Sequence, residues 1–285
     1  MRLLVAVLLG LGLLAPVAAA QSAAGPPGGN DWNCRPSAQH PNPVVLVHGL
    51  GATAETNWVT VSPLLASRGY CVFALTYGQR PPFPQGGVIP MEQSAEQLAA
   101  FVDAVRAATG AAEVDLVGHS EGTLMPQYYL QFLGGVDEVE RYVAVTPVYE
   151  GTLGILTPAT SFGDALGVYG PLTDVFGVAC GSCPQFVAGS DYLERMHAQP
   201  GGAAVPGVTY TTVMTRYDAL VIPYTSGRLT APNATNIVVQ DGCESDFSGH
   251  ASIITTPRTG QIILNGLDPS SAMSPPCGGG IPLRG

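Results

Sequence analysis

Short apolar runs alternate with amphipathic stretches along most of the chain. Six of the runs are compact and end at Gly, Pro or polar residues, which is typical of buried strands. They cover residues 43–49, 70–77, 113–119, 141–148, 208–216 and 235–241. Helices are predicted between them, at 57–68, 91–109, 122–133 and 259–267. Because strands that alternate with helices build a mostly parallel sheet covered on both faces, the pattern predicts an α/β fold with six strands.

The N-terminus has the pattern of a secretory signal peptide. Arg2 precedes an apolar core, and Ala18-Ala19-Ala20 provides small residues for cleavage. We expect a signal peptide over residues 1–20, with cleavage after Ala24 as the alternative. A permanent membrane anchor is disfavoured because the apolar core is shorter than the ~20 residues that a span needs.

The remaining chain divides into three parts. Residues 21–42 are rich in Gly, Pro, Asn and Ser and predict an irregular lead-in. Residues 43–285 predict one α/β domain. Within it, residues 149–207 interrupt the alternation of strands and helices, and we interpret them as an insertion that is a candidate cap or lid.

Composition excludes some partners. The formal net charge is -10, and the chain contains arginine but no lysine. An acidic chain without basic clusters argues against binding to nucleic acid or to anionic membranes. No stretch after the signal peptide is long and apolar enough to span a bilayer. We therefore expect an exported, soluble monomer without an integral membrane segment.

The six cysteines indicate disulfides rather than a metal site. An even number in an exported chain predicts three bridges, but leaves their pairing open. Cys180 and Cys183 form a CxxC pair that could be half of a zinc site, yet no second pair of ligands follows at zinc spacing. We expect no metal and no cofactor.

The segment Gly118-His119-Ser120-Glu121-Gly122 fits the G-x-S-x-G pattern. A predicted strand leads into it and a predicted helix follows it, so the serine should lie on a sharp strand-to-helix turn with its hydroxyl exposed. The helix N-terminus behind Ser120 also favours developing negative charge. A simple N-cap is the alternative role. We predict that Ser120 is a nucleophile.

A nucleophilic serine needs a base, and five histidines are available. In the chain order Ser, acid, His, the base follows the last strand, which selects His250. His40 lies in the lead-in and His197 in the insertion. His48 and His119 end strands, and we expect them to hold loops by hydrogen bonds.

The acid should follow the next-to-last strand, where Asp218 lies. Asp241 and Asp246 are rivals, but they share a loop with His250. Asp174 and Asp191 are in the insertion. A turn or helix cap is the alternative role of Asp218.

Two backbone N–H groups are candidates for an oxyanion hole. One belongs to Glu121, directly after the nucleophile, and the other to Leu50, after the first strand. A carboxylate that pointed into this site would oppose negative charge. We therefore expect the Glu121 side chain to point outward.

Five segments together resemble secreted actinobacterial class 2 lipases, which are α/β-hydrolases, and more distantly the fungal lipase B of the Candida antarctica type. These segments are PVVLVHGLGAT, NWVTVSPLLASRGY, GHSEG, TRYDALVIPY and SGHASI. The resemblance runs from about residue 40 to residue 270. It implies the α/β-hydrolase fold, a triad of Ser120, Asp218 and His250, and oxyanion donors at Leu50 and Glu121.

The resemblance also implies the disulfide pairs Cys34–Cys71, Cys180–Cys183 and Cys243–Cys277. The chain departs from these lipases at Glu121, where they more often carry Met or Gln. This departure concerns the acyl pocket rather than the chemistry.

These features predict a secreted serine hydrolase that cleaves carboxylic esters through an acyl-enzyme. Its substrate would be a triacylglycerol or a short-to-medium acyl ester, which it could meet at an oil–water interface. A polyester hydrolase of the cutinase type is the alternative, and it would leave the serine bare instead of covering it with residues 149–207. A non-catalytic binding protein is a remote alternative. We expect nine apolar residues to line the acyl pocket, and core packing is their alternative role. They are Leu153, Ile155, Leu156, Phe162, Leu166, Val168, Phe83, Val88 and Ile89.

Overall fold

A computed structural model describes residues 25–153 and 180–278. Its described part contains one sheet of six parallel strands in the order β2-β1-β3-β4-β5-β6. The strands are β1 (Val44–Val47), β2 (Val72–Leu75), β3 (Val114–His119), β4 (Val139–Val145), β5 (Thr209–Met214) and β6 (Ala234–Val238). The predicted α/β fold with a six-stranded parallel sheet is confirmed.

Helices cover the sheet. In the described residues they are α1 (Ala54–Asn57), α2 (Val61–Ser67), α3 (Met91–Thr109), α4 (Glu121–Phe132), α5 (Asp191–His197) and α6 (Pro257–Leu267). The helix predicted over 57–68 is instead divided between α1 and α2. The division falls where Trp58 leaves helical backbone geometry and buries its side chain completely.

The sheet is the middle layer of three. Alternate residues of β1 face opposite sides, with Val45 and Val47 in one apolar cluster and Val44 and Leu46 in the other. The first cluster includes side chains of α3, α4 and α5, and the second includes side chains of α2 and α6. Because both faces of the sheet are buried at β1 and β2, these two strands have continuous apolar sequences, which explains why they could be predicted.

The structure forms three disulfides, Cys34–Cys71, Cys180–Cys183 and Cys243–Cys277. These are the pairs that the resemblance implies. The first disulfide joins the lead-in to the residue before β2, and the third joins the loop after β6 to the C-terminal segment. In the described ranges no helix combines the length and the apolar character needed to cross a membrane. The predicted signal peptide lies outside these ranges.

Candidate active site

Ser120 lies on a sharp turn between β3 and α4. Its backbone has φ 55° and ψ -119°, a conformation that L-residues rarely adopt. A Cβ atom on Gly118 would lie 2.0 Å from the carbonyl oxygen of Gly122, and one on Gly122 would lie 2.0 Å from that of Val47. Both flanking positions therefore require glycine. The turn presents Ser120 at the wall of a cavity.

The structure brings Ser120, His250 and Asp218 together at the carboxyl edge of the sheet. The Nε2 atom of His250 lies 2.8 Å from Ser120 Oγ. Its Nδ1 atom lies 2.9 Å from both carboxylate oxygens of Asp218. The side chains of His250 and Asp218 are 9% and 2% exposed. This geometry would let the imidazole accept the serine proton while a shielded carboxylate stabilises the imidazolium.

Backbone groups hold Asp218 in this orientation. Its Oδ1 accepts hydrogen bonds from the N–H groups of Leu220, at 2.9 Å, and Val221, at 2.8 Å. The rival acid Asp246 is buried and accepts hydrogen bonds from the backbone and hydroxyl of Ser248 instead. Asp241 forms an ion pair with Arg216 on the surface. In the described residues, neither rival forms a hydrogen bond or an ion pair with His250.

His119 and Asn57 connect the base to the loop after β1. The Nε2 atom of His119 lies 3.0 Å from the carbonyl oxygen of His250, and its Nδ1 lies 3.0 Å from Asn57 Oδ1, so a neutral ring donates to one of these two oxygens. Asn57 Oδ1 also accepts from the N–H of Gly49 over 3.3 Å. Burial lowers the pKa of His119 to about 3, so the ring is neutral at physiological pH. The expected loop-holding role of His119 agrees with these contacts.

The loop Gly49–Ala52 carries Leu50 along the cavity wall. The N–H of Gly51 donates to the oxygen of Gly86, and the N–H of Gly86 donates to the oxygen of Ala52, both over 2.9 Å. His48 supports the loop from behind by donating from Nδ1 to the oxygen of Gly49 over 2.8 Å. Burial lowers the pKa of His48 to about 4, which keeps its ring neutral. Leu50 therefore lies on a loop that two other segments hold in place.

The prediction that Glu121 points outward is wrong. Its side chain is fully buried, and neither carboxyl oxygen has a hydrogen-bond partner among the described residues. The reason is that the first turn of α4 packs beneath Gly87, whose Cβ position would lie 2.4 Å from Glu121 Oε2. Burial raises the pKa of this carboxyl well above its usual range. An uncharged Glu121 would not repel an oxyanion.

A cavity of about 540 Å³ opens above Ser120. Its wall is mostly apolar and also includes groups of the triad and of the loop after β1. The lining residues are Gly49, Leu50, Ala52, Asn57, His119, Ser120, Val148, Thr152, Phe186, Leu220, Val221, His250 and Ala251. Such a wall suits an apolar acyl chain better than a charged group.

None of the four described residues of the pocket prediction lines this cavity. Phe83 and Leu153 are exposed on the surface, at 65% and 57%. The backbone of Val88, next to Ile89, is hydrogen-bonded to Gly78 and Gly181. The other five predicted residues lie outside the described ranges, namely Ile155, Leu156, Phe162, Leu166 and Val168.

The sequence reasoning missed Val148, Phe186, Leu220 and Val221. Val148 follows β4, and Leu220 and Val221 follow Asp218, so their place at the carboxyl edge of the sheet was a usable signal. Phe186 lies in the insertion and had no comparable signal.

The described parts of the insertion form part of the cavity wall. Thr152 pairs with Val187 in an isolated β-bridge, and its hydroxyl donates to the oxygen of Leu220 over 2.6 Å. Phe186 lies beside this bridge and is buried against the cavity. Nowhere in the described chain do three or more His, Cys, Asp or Glu side chains form a group that could hold a metal ion.

The parallel sheet and its strand-turn-helix at Ser120 define the α/β-hydrolase class of proteins. Comparison with protein families is more specific, because the model of the family "Lipase (class 2)" matches residues 41–262. The chain belongs to this family.

Two curated relatives share part of the sequence. A "Triacylglycerol lipase" of Pseudarthrobacter phenanthrenivorans is 39% identical over 93 residues, which is 30% of this chain and 27% of the relative. A "Triacylglycerol lipase" of Burkholderia plantarii is also 39% identical over 93 residues, or 30% of this chain and 24% of the relative. The matches thus span about a quarter of the length of these relatives.

Solved structures share the fold at low sequence identity. The Aspergillus fumigatus lipase B structure matches with a TM-score of 0.65 and 18% identity, over 92% of this chain and 61% of that one. The mature Bacillus licheniformis lipase BlEst2 matches with a TM-score of 0.51 and 18% identity, over 71% of this chain and 84% of that one.

Proposed function

We propose that this protein is a secreted serine hydrolase that cleaves carboxylic esters with acyl chains, as a lipase or esterase. The observation that carries the proposal is the 2.8 Å contact between Ser120 Oγ and His250 Nε2 beneath an apolar cavity, with Asp218 behind the imidazole. Membership of the class 2 lipase family supports an ester substrate.

The reaction would follow from the positions of these groups. Ser120 Oγ attacks the ester carbonyl carbon while His250 Nε2 takes the hydroxyl proton. The carbon–oxygen bond of the leaving alcohol then breaks, and His250 returns the proton to that alcohol. Water attacks the resulting acyl-enzyme with His250 again as base, which frees the carboxylic acid and restores Ser120. Asp218 fixes the imidazole tautomer and stabilises its cation.

Leu50 and Glu121 would stabilise the tetrahedral intermediates through their backbone N–H groups. Leu50 lines the cavity on the held loop, and Glu121 is the first residue of α4 directly after the nucleophile. The loss of one such donor typically costs about 3 kcal/mol of transition-state stabilisation. The N-terminus of α4 adds a favourable dipole for the developing negative charge.

The cavity wall supports an acyl substrate. Val148, Phe186, Leu220 and Val221 give it an apolar surface, on which each buried methylene of an acyl chain is worth about 0.8 kcal/mol. A polyester hydrolase stays the alternative, and it would need an open groove. The contribution of Phe186 from the insertion favours a walled pocket over such a groove.

Export is supported by two features of the chain. The N-terminal sequence is typical of a signal peptide, and all six cysteines are paired in the structure. Disulfides of this kind persist in oxidising compartments outside the cytosol.

Hydrolysis of p-nitrophenyl esters from acetate to palmitate tests the proposed function. We expect the wild-type protein to prefer medium acyl chains, and Ser120→Ala to lose about 10⁶-fold in kcat. Ser67→Ala, an exposed change at the end of α2, is the matched control. Hydrolysis that persists in Ser120→Ala would contradict the triad, and a wild-type protein inactive on every ester would contradict the proposed function.

A further inference from the structure

Glu121 is a buried carboxyl group beside the nucleophile that the mechanism above uses only through its backbone. It is the first residue of α4, and its side chain has no exposed surface. Neither carboxyl oxygen has a hydrogen-bond partner in the described part of the protein. A charged carboxylate in this position would lose its hydration without compensation.

The Glu121 carboxyl and the loop Gly49–Ala52, which we call the oxyanion loop, approach each other at Gly87. A Cβ atom on Gly87 would lie 2.4 Å from Glu121 Oε2 and 3.2 Å from Leu50 Cα. Gly87 has φ 75° and no side chain, so the carboxyl and the loop both approach its backbone. The Glu121 side chain therefore packs against the same point that supports Leu50.

The Gly86–Gly87 segment is fixed on its other sides. Gly87 donates its N–H to the oxygen of Tyr77 over 2.8 Å, and its own oxygen accepts from the hydroxyl of Ser182 over 2.5 Å. Gly86 forms the two backbone hydrogen bonds to the oxyanion loop that are described above. A disturbance at Glu121 would thus reach the loop through Gly87.

Within residues 25–153 and 180–278, the titratable groups that face Glu121 are uncharged. Tyr77 follows β2 and Tyr192 lies on α5, and burial raises the pKa of both phenols well above the usual range. Behind Tyr77, the His48 ring stacks on the phenol and is neutral. The Tyr77 hydroxyl already donates to the oxygen of His48 over 2.7 Å. None of these groups supplies a positive charge that could stabilise an ionised Glu121.

We propose that Glu121 is a positioning residue that works as an uncharged carboxylic acid, supports the oxyanion loop through Gly87, and weakens catalysis when it ionises at alkaline pH. The catalytic part of this inference rests on the proposed function. Ionisation would place a negative charge behind the groups that must stabilise an oxyanion, and in a buried site such a charge is poorly screened. It would also draw solvent toward the packed Gly87 segment.

Infrared difference spectroscopy tests the charge state without any substrate. At pH 8 we expect a carbonyl band of a protonated carboxylic acid that is absent from Glu121→Gln. Asp115 is the matched control, because burial raises its pKa to about 7 and its band should disappear on titration through that range. A wild-type protein without the band at pH 8, or a band that Glu121→Gln retains, would overturn the proposal.

The pH profile of kcat tests the positioning role. We expect wild-type kcat to fall at least about tenfold on the alkaline side, in step with loss of the band and with little change in KM. Glu121→Gln cannot ionise and should show a flatter profile, with a two- to fivefold lower kcat at neutral pH because the amide is an imperfect replacement. Glu121→Ala should lower kcat further than Glu121→Gln.

Parallel alkaline losses in the wild type and Glu121→Gln, or no alkaline loss in the wild type, would overturn the positioning role. A wild-type protein inactive on all esters would instead overturn the proposed function, and with it the catalytic part of this inference. The infrared band would still decide the charge state of Glu121.

Discussion

Replacing Ser120 with glycine rather than alanine should separate the cost of its backbone conformation from its chemistry. Both substitutions remove the hydroxyl and its contact with His250. Alanine keeps the Cβ atom and therefore keeps the strain of φ 55° and ψ -119°. Glycine adopts positive φ without that strain. The difference in stability between the two variants therefore reports the backbone alone.

The expected difference follows from two opposing quantities. A non-glycine residue held in a sparsely populated backbone region costs about 1–3 kcal/mol. Glycine loses about 0.5–1 kcal/mol relative to alanine, because its unfolded chain is more flexible. We expect Ser120→Gly to be more stable than Ser120→Ala by about 0.5–2 kcal/mol. At about 2–4 °C per kcal/mol, this would be visible in Tm.

Urea and thermal unfolding of the two variants, with disulfides intact, would measure this difference. Ser67 at the exposed end of α2 is the matched control, because glycine there should be less stable than alanine by up to about 1 kcal/mol. If the glycine variant were less stable than the alanine variant at Ser120 as well as at Ser67, the reasoning would be refuted. Such a result would mean that the turn stores no strain.

Other substitutions test the acid, a buried carboxyl and the pocket. Asp218→Asn should lower kcat about 10⁴-fold, because an amide no longer holds the productive imidazole tautomer, and a smaller loss would argue against Asp218 as the acid. Burial raises the pKa of Asp115 to about 7, so the contribution of Asp115 to the free energy of unfolding should fall by about 3 kcal/mol between pH 4 and pH 7, where the unfolded state is ionised more than the folded state. Asp115→Asn should lack this contribution when unfolding by urea is measured at each pH. The same pH dependence of the free energy of unfolding in the wild type and the variant would contradict the prediction. Leu220→Asp puts a charge at the cavity wall and should lower kcat/KM for a laurate ester about tenfold relative to acetate, while the exposed Phe83→Asp should not.

The sheet could be predicted because parallel strands buried on both faces leave a strong apolar signal. The positions of Asp218 and His250 could be predicted for a related reason, since the carboxyl ends of parallel strands meet at one edge. The structure places both side chains in hydrogen-bond contact with the expected partners. Chain order and fold thus reduced five histidines to one candidate.

The orientation of Glu121 could not be predicted from its neighbours in sequence. Electrostatics alone favoured an exposed carboxylate, but packing of α4 beneath Gly87 decides the outcome. Gly87 comes from a proline-rich loop distant in sequence, so no local pattern links the two residues. Burial then changes the protonation state, which removes the repulsion on which the prediction rested.

The residues that line the described cavity could not be predicted for a similar reason. Hydrophobicity marked Phe83 and Leu153, but the loops that carry them turn these side chains to the surface. Phe186 reaches the cavity because the segment after the Cys180–Cys183 bridge pairs with Thr152. Such contacts between loops depend on tertiary structure and leave no periodic signal.

Covalent labelling of Ser120 tests the central claim most directly. An alkyl fluorophosphonate should be attacked by an activated serine with loss of fluoride, and mass spectrometry can then locate the adduct. We expect one adduct on the peptide that contains Ser120, slow labelling in Asp218→Asn, and none in Ser120→Ala. Failure to label Ser120, or equal labelling of another serine in Ser120→Ala, would contradict its role as the nucleophile.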